Sequence, residues 1–160
     1  MGIQDQALDE IRRHLRDFIG AHTWEELCRE WVLRAAVKGE LSLSVDQVGS
    51  AWTQRAQVDV VGINTMEKTL ILGECKWGAQ AMGREVLVEL VHKTAEIVPE
   101  QGQWRVLYVG FARAGWTDAA QQFAQEQSPT PANGANWRVV GMRLVDLTQV
   151  DLDLTQWTTQ

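Results

Sequence analysis

The chain has 160 residues, of which 45% are hydrophobic and 22% are charged, and its formal net charge is −6. This length accommodates one domain with a substantial core. The acidic balance excludes a protein that binds polyanions over its whole surface, because phosphate neutralisation needs clustered Lys and Arg. Any contact with nucleic acid is therefore expected to be local or assisted by a partner.

The cysteine content and the hydropathy indicate the cellular setting. Cys28 and Cys75 have neither the spacing of metal ligands nor the density of a disulfide scaffold, which favours a reducing, cytoplasmic compartment. No apolar stretch approaches the roughly 20 residues that a membrane helix needs, and residues 1–20 lack the apolar core of a secretory signal. We therefore expect neither membrane association nor a targeting signal.

Two consecutive helices are predicted at the start of the chain. Residues 5–19 carry apolar side chains at helical spacing, and Gly20 is expected to end this first helix. Thr23 and Glu26 have the S/T-x-x-E spacing of a capping box, which opens the second helix. Glu25 lies above an apolar stripe of this second helix and is a candidate metal ligand. The alternative for Glu25 is a first-turn acid that the helix dipole favours.

A half-exposed strand and a β-hairpin follow these helices. Residues 40–46 alternate apolar and polar side chains, which predicts the half-exposed strand. Residues 57–63 and 70–77 are two mostly apolar runs joined by a short polar link, which predicts the hairpin. In the second run, the two-residue side-chain period places Glu74 and Lys76 on the same face of the strand.

The charged side chains at the ends of these strands indicate a metal site. An unpaired buried charge is strongly destabilising, and a tight hairpin is expected to bring the carboxylate of Asp59 beside that of Glu74. A divalent cation would compensate both carboxylates, and together with Lys76 they suit metal-assisted phosphodiester hydrolysis. We therefore predict that Asp59, Glu74 and Lys76 are catalytic residues and that the cofactor is Mg²⁺ or Mn²⁺.

Two basic side chains near this site are candidate contacts for nucleic acid. Arg55 precedes the hairpin, and Lys93 lies on the charged face of a helix predicted over residues 82–98. Glu89 and Lys93 on this face are expected to form an i,i+4 ion pair. For both Arg55 and Lys93, the alternative is a solvated surface charge.

The second half of the chain predicts the arrangement of the sheet. The buried strand over residues 104–111 follows the helix over residues 82–98, which implies a parallel crossover. A further helix capped near Thr117, a surface loop over residues 128–136 and a last strand from Trp137 complete the pattern. The fold class predicted is α/β, a three-layer α/β/α sandwich with a mixed central sheet and helices on both faces.

The candidate site residues also resemble a known signature. Asp59, followed by Glu74-Cys75-Lys76 at the end of the next strand, resembles the D…(D/E)xK motif, written PD-(D/E)xK, of the restriction-endonuclease-like nucleases. Over residues 7–148 the chain is similar to the nuclease-like domain of unknown function found C-terminal to a family of archaeal and bacterial P-loop ATPases. That similarity is carried by Gly20, Trp24-Glu25-Glu26-Leu27, Gln57-Val58-Asp59-Val60-Val61 and Leu72-Gly73-Glu74-Cys75-Lys76-Trp77.

The resemblance implies a restriction-endonuclease-like fold and a particular set of ligands and partners. The implied metal ligands are Asp59, Glu74, the Cys75 carbonyl and Glu25. Residues 1–20 would be a linker helix from an ATPase domain in cis and residues 21–150 the nuclease-like domain. Residues 151–160 are expected from their polarity to form a frayed tail. DNA is favoured over RNA as the substrate, the acidic net charge predicts weak binding by the isolated domain, and a homodimer is left open.

Two main functional interpretations follow. The complete set of Asp59, Glu74 and Lys76 favours a metal-dependent nuclease. The acidic balance favours a non-catalytic accessory domain of an ATPase, as does Gln57, where the ATPase-linked family often carries an acidic residue. A third interpretation is a pure interaction domain, for which the eight tryptophans offer apolar surface, although Trp more often belongs to a core.

Overall fold

The computed structural model describes residues 3–53, 56–127, 130–131 and 134–158 of the chain. Its helices are α1 (Ile3–Val37), α2 (Arg84–Ile97), α3 (Asp118–Gln125) and α4 (Leu147–Thr158). Its strands are β1 (Gln47–Trp52), β2 (Gln57–Asn64), β3 (Thr69–Lys76), β4 (Trp104–Ala112), β5 (Thr130–Pro131) and β6 (Trp137–Asp146). No helix in these ranges is long and apolar enough to cross a membrane.

The strands form one mixed sheet in the order β1-β2-β3-β4-β6-β5. β1, β2 and β3 are antiparallel neighbours, and β2 and β3 form the predicted hairpin. β3 pairs with β4 in parallel, and β4 with β6 in parallel, so the predicted parallel crossover through α2 is confirmed. The short β5 is antiparallel to β6 and lies within the predicted loop over residues 128–136, of which residues 128–129 and 132–133 are outside the described ranges.

Helices cover both faces of this sheet, which confirms the predicted α/β sandwich. On one face, α1 and α4 enclose a core built from Trp24, Trp31, Val60, Ile71, Phe111 and Trp157. On the other face, α2 places Leu90 against Leu70, Leu72 and Tyr108, and α3 packs beside α2 and β6. The even and odd residues of β3 therefore enter two different cores, as the side-chain period of a strand requires.

The prediction of two helices at the start of the chain is wrong, because α1 is continuous from Ile3 to Val37. Gly20 serves close packing instead of ending a helix, since a Cβ atom there would lie 2.7 Å from the indole ring of Trp77. Thr23 lies inside α1 and caps nothing. Glu26 is likewise not part of a capping box, and its carboxylate lies 3.2 Å from Nε2 of His22 one turn earlier.

Two further expectations are corrected at the other boundaries. Residues 40–46 form no strand, although Leu41, Leu43 and Val45 are buried at alternate positions, and the ladder of β1 begins only at Gln47, opposite Ile63. The predicted frayed tail is helical up to Thr158, because α4 buries Val150 and Trp157 against α1. The predicted boundaries after residues 20 and 150 therefore both fall inside helices.

Candidate active site

Asp59 lies in a β-bulge. Gly49 of β1 faces Val61 of β2, and Ala51 faces Val58, so Asp59 and Val60 together oppose a single residue of β1. Bulges redirect side chains and are frequent beside active sites. On the other side of β2, the ladder with β3 ends at Val60 and Gly73, which makes Asp59 the first residue beyond it. The Asp59 side chain can therefore turn towards the end of β3.

Two hydrogen bonds fix Asp59 in that position. Its Oδ2 atom accepts a hydrogen bond of 2.9 Å from the backbone N–H of Cys75, so the side chain replaces the missing ladder bond between the strands. Its backbone carbonyl accepts a hydrogen bond of 2.8 Å from Nη1 of Arg29 in α1. Arg29 was not predicted at this site, and its only sequence signal is its position one helical turn after Glu25.

Glu74 meets Asp59 at this point, as the hairpin predicts. Only 6% of Glu74 is exposed, and its pKa is raised from 4.5 to about 7. Burial is the largest cause, and the hydrogen bond and negative charge of Asp59 raise the pKa further, while Lys93 lowers it. The Glu74 carboxyl thus lies in a poorly solvated place beside Asp59, and the two groups repel each other when both are ionised.

Lys93 is the cation that compensates Glu74. Its Nζ atom reaches across from α2 to within 2.8 Å of Glu74 Oε1, and it lies 3.8 Å from Glu89, which confirms the predicted i,i+4 pair. Lys93 is therefore engaged at the site and is not a freely solvated charge. Lys76 is half-buried at the end of β3, and in the described part of the chain its side chain has no hydrogen-bond or ion-pair partner.

Glu25 and Cys75 lie close to the two central carboxylates. Burial raises the pKa of the Cys75 thiol well above 9.0, and the neighbouring Cys28 thiol adds to this, as do the charges of Asp59 and Glu25. The thiol therefore stays protonated at neutral pH, and a protonated thiol is a poor metal ligand. Only the main chain of Cys75 is available for ligation, and Glu25 borders the site as a half-buried acid.

The carboxylates fit a hydrated divalent cation better than an enclosed metal site. Among the described residues, no group of three or more His, Cys, Asp or Glu side chains is arranged to hold a metal ion. Mg²⁺, however, commonly keeps several waters and uses only one or two carboxylates. Asp59 and Glu74 meet that requirement, and a cation between them would relieve the repulsion that raises the pKa of Glu74. Arg55 lies outside the described residues.

A further residue at the same end of the sheet was not identified from the sequence. Arg113 follows β4, and its backbone N–H donates to the carbonyl of Lys76 at 2.9 Å. Its guanidinium lies 4.4 Å from the ring centroid of Trp77. Arg113 comes close to Trp77 because β3 and β4 pair in parallel. The register of that pairing cannot be predicted from the sequence of either strand alone.

Comparison with known proteins gives one family. The profile of DUF234, described as archaeal and bacterial proteins of unknown function, matches residues 1–93. The matched part includes Asp59, Glu74, Lys76 and Lys93, and ends before β4. No curated protein and no solved structure matches the chain significantly.

Proposed function

Because its profile matches more than half of the chain, this protein belongs to the DUF234 family, and we propose that it is a metal-dependent nuclease of the restriction-endonuclease-like type. The family description names no activity, so the proposal depends on the site. The observation that carries it is the meeting of Asp59 and Glu74, one of them with a pKa raised to about 7. Strongly perturbed carboxyl groups that share one place are typical of functional sites.

Each residue of the site has a role in this proposal. Asp59 and Glu74 would hold Mg²⁺ or Mn²⁺, with the Cys75 carbonyl and Glu25 as further ligands. A divalent cation supplies charge neutralisation at the scissile phosphate and makes water a stronger nucleophile. Lys76 would position the attacking water by hydrogen bonding and stabilise negative charge that develops on the phosphate. Its lack of a carboxylate partner among the described residues supports this role.

The substrate and the partner follow from the resemblance and from the net charge of the chain. We propose DNA as the substrate, in line with the resemblance to nucleases, and an ATPase domain in cis as the partner. A net charge of −6 supports weak, salt-sensitive binding by the chain alone. A tethered ATPase would raise the effective concentration of the nucleic acid at the site.

A non-catalytic accessory domain is the second candidate. The ion pair between Lys93 and Glu74, at 2.8 Å, favours it, because Lys93 already neutralises the buried carboxylate without any metal. Gln57 at the start of β2 favours it as well. Such a domain would keep the fold and bind no divalent cation at these residues.

Isothermal titration with Mn²⁺ tests the nuclease proposal against this alternative. The parent protein is expected to bind Mn²⁺, and Glu74→Ala to lose that binding. Glu67→Ala is the matched control, because Glu67 is an exposed acid in the loop of the same hairpin. Circular dichroism would verify that both variants are folded. Titrations that are identical for the parent and Glu74→Ala, or that show no heat for the parent, would contradict the proposed metal site.

A further inference from the structure

Arg113 and Trp77 leave the sheet beside Lys76. The parallel register of β3 and β4 pairs Lys76 with Ala112, so the residues that follow both strands emerge at the same edge. The hydrogen bond of 2.9 Å from the Arg113 N–H to the Lys76 carbonyl continues this pairing by one residue. The guanidinium of Arg113 is therefore attached to the same end of the sheet as the candidate catalytic lysine.

The guanidinium is held in place by aromatic packing. It lies 4.4 Å from the centroid of the Trp77 ring, and its Nη1 atom lies 3.4 Å from the Trp77 carbonyl oxygen. Trp77 is itself fixed by Trp24, at 5.8 Å between ring centroids, and by the close approach of Gly20. A guanidinium held over an aromatic ring can still donate from its edge to a phosphate.

The Arg113 guanidinium has N–H groups beyond the one that donates to the Trp77 carbonyl. Within the described ranges, Arg113 has no carboxylate partner, whereas Lys93 is paired with Glu74 and Arg29 is bound to the Asp59 carbonyl. A phosphate could therefore accept from the N–H groups of Arg113 that the Trp77 carbonyl leaves unused.

We infer that Arg113, supported by Trp77, binds the phosphodiester backbone of nucleic acid at the edge of the sheet where the candidate active site lies. This inference rests on the proposed nuclease function and adds a substrate contact to it. Because Arg113 lies over the Trp77 ring, the indole supports the guanidinium and is not a stacking platform for a base. The contact is accordingly independent of base sequence.

Fluorescence anisotropy with labelled single-stranded and duplex oligonucleotides tests this contact, in low salt and with a chelator to prevent cleavage. Arg113→Ala is expected to weaken binding about tenfold. The slope of log affinity against log salt should become shallower by about 0.7 for single strands or about 0.9 for duplex. Arg113→Lys should retain the slope, because it keeps the charge, and lose part of the affinity, because it loses the planar stack.

Arg138→Ala is the control, since Arg138 is an exposed arginine at the start of β6, the opposite end of the parallel strands. It should bind like the parent. Arg113→Ala with the affinity and salt slope of the parent would overturn the inference and leave the nuclease proposal standing. An equal loss in Arg138→Ala would also overturn it, because charge alone would then explain binding. A parent that binds neither oligonucleotide nor Mn²⁺ would overturn both proposals.

Discussion

The raised pKa of Glu74 predicts that the metal-free protein loses stability as the pH rises. The native state keeps a proton on Glu74 that the unfolded chain releases at its ordinary pKa of 4.5, and it gives up this proton only near pH 7. Between these values the native state binds more protons than the unfolded state, so the free energy of unfolding falls with increasing pH. Glu74→Gln, which cannot ionise, should remove this dependence.

The magnitude follows from the interval between the two pKa values. Each pH unit within this interval lowers the free energy of unfolding by about 1.4 kcal/mol. The total loss above pH 7 is therefore about 3 kcal/mol. Glu74→Gln should therefore be more stable than the parent at high pH, by an amount below this limit. The gain is smaller because the substitution also removes the closest anion of Lys93, for which Glu89 at 3.8 Å is the remaining carboxylate among the described residues.

Urea unfolding of the parent and Glu74→Gln at about pH 5 and about pH 8, with a chelator present, measures the effect. The difference in unfolding free energy between the two proteins should change by about 2–3 kcal/mol across this range, in favour of the variant at high pH. Mn²⁺ should restore stability to the parent at high pH and have little effect on the variant. Parallel pH profiles for the two proteins would refute the reasoning, because Glu74 would then titrate as an ordinary carboxyl.

Two further predictions concern packing and pairing around the site. Lys93→Met should lower the free energy of unfolding by about 3 kcal/mol at high pH, because it leaves a buried carboxylate unpaired. The loss should be smaller near pH 5, where Glu74 takes up a proton. The same urea series measures this effect, and a loss independent of pH would contradict the prediction. Gly20→Ala should displace the Trp77 ring, since the new Cβ would lie 2.7 Å from it. Overpacking should destabilise the fold by about 1–3 kcal/mol and outweigh the gain of about 1 kcal/mol in helix propensity. The variant should therefore be less stable than the parent and change its tryptophan fluorescence. A variant of higher stability with unchanged fluorescence would show that the position of Trp77 does not require glycine at residue 20.

Local periodicity accounts for the parts of the fold that the sequence predicts correctly. The two-residue period identifies both strands of the hairpin and the shared face of Glu74 and Lys76, and the helical period identifies α2 with its Glu89–Lys93 pair. The parallel crossover follows from the succession of strand, helix and strand. These features depend on neighbours in sequence, so one sequence is enough to predict them.

The wrong or missing predictions depend on contacts between distant segments. Gly20 looks like the end of a helix until Trp77, which packs against it, is located. Residues 40–46 alternate in burial like a strand, but the ladder with β2 begins only at Gln47. The contacts of Arg113 require the register of β3 against β4, and the engagement of Lys93 requires the placement of α2 over the sheet.

Digestion of plasmid and single-stranded DNA at low salt and high protein concentration, with and without Mg²⁺ or Mn²⁺, tests the central claim most directly. The parent should cut only with metal, and so should the control Glu67→Ala, whereas Asp59→Ala, Glu74→Ala and Lys76→Met should be inactive while folded. Digestion that persists in Glu74→Ala and Lys76→Met would contradict a catalytic role for these residues. If the parent binds both metal and DNA but cuts neither substrate, the proposal that the protein is a nuclease is wrong.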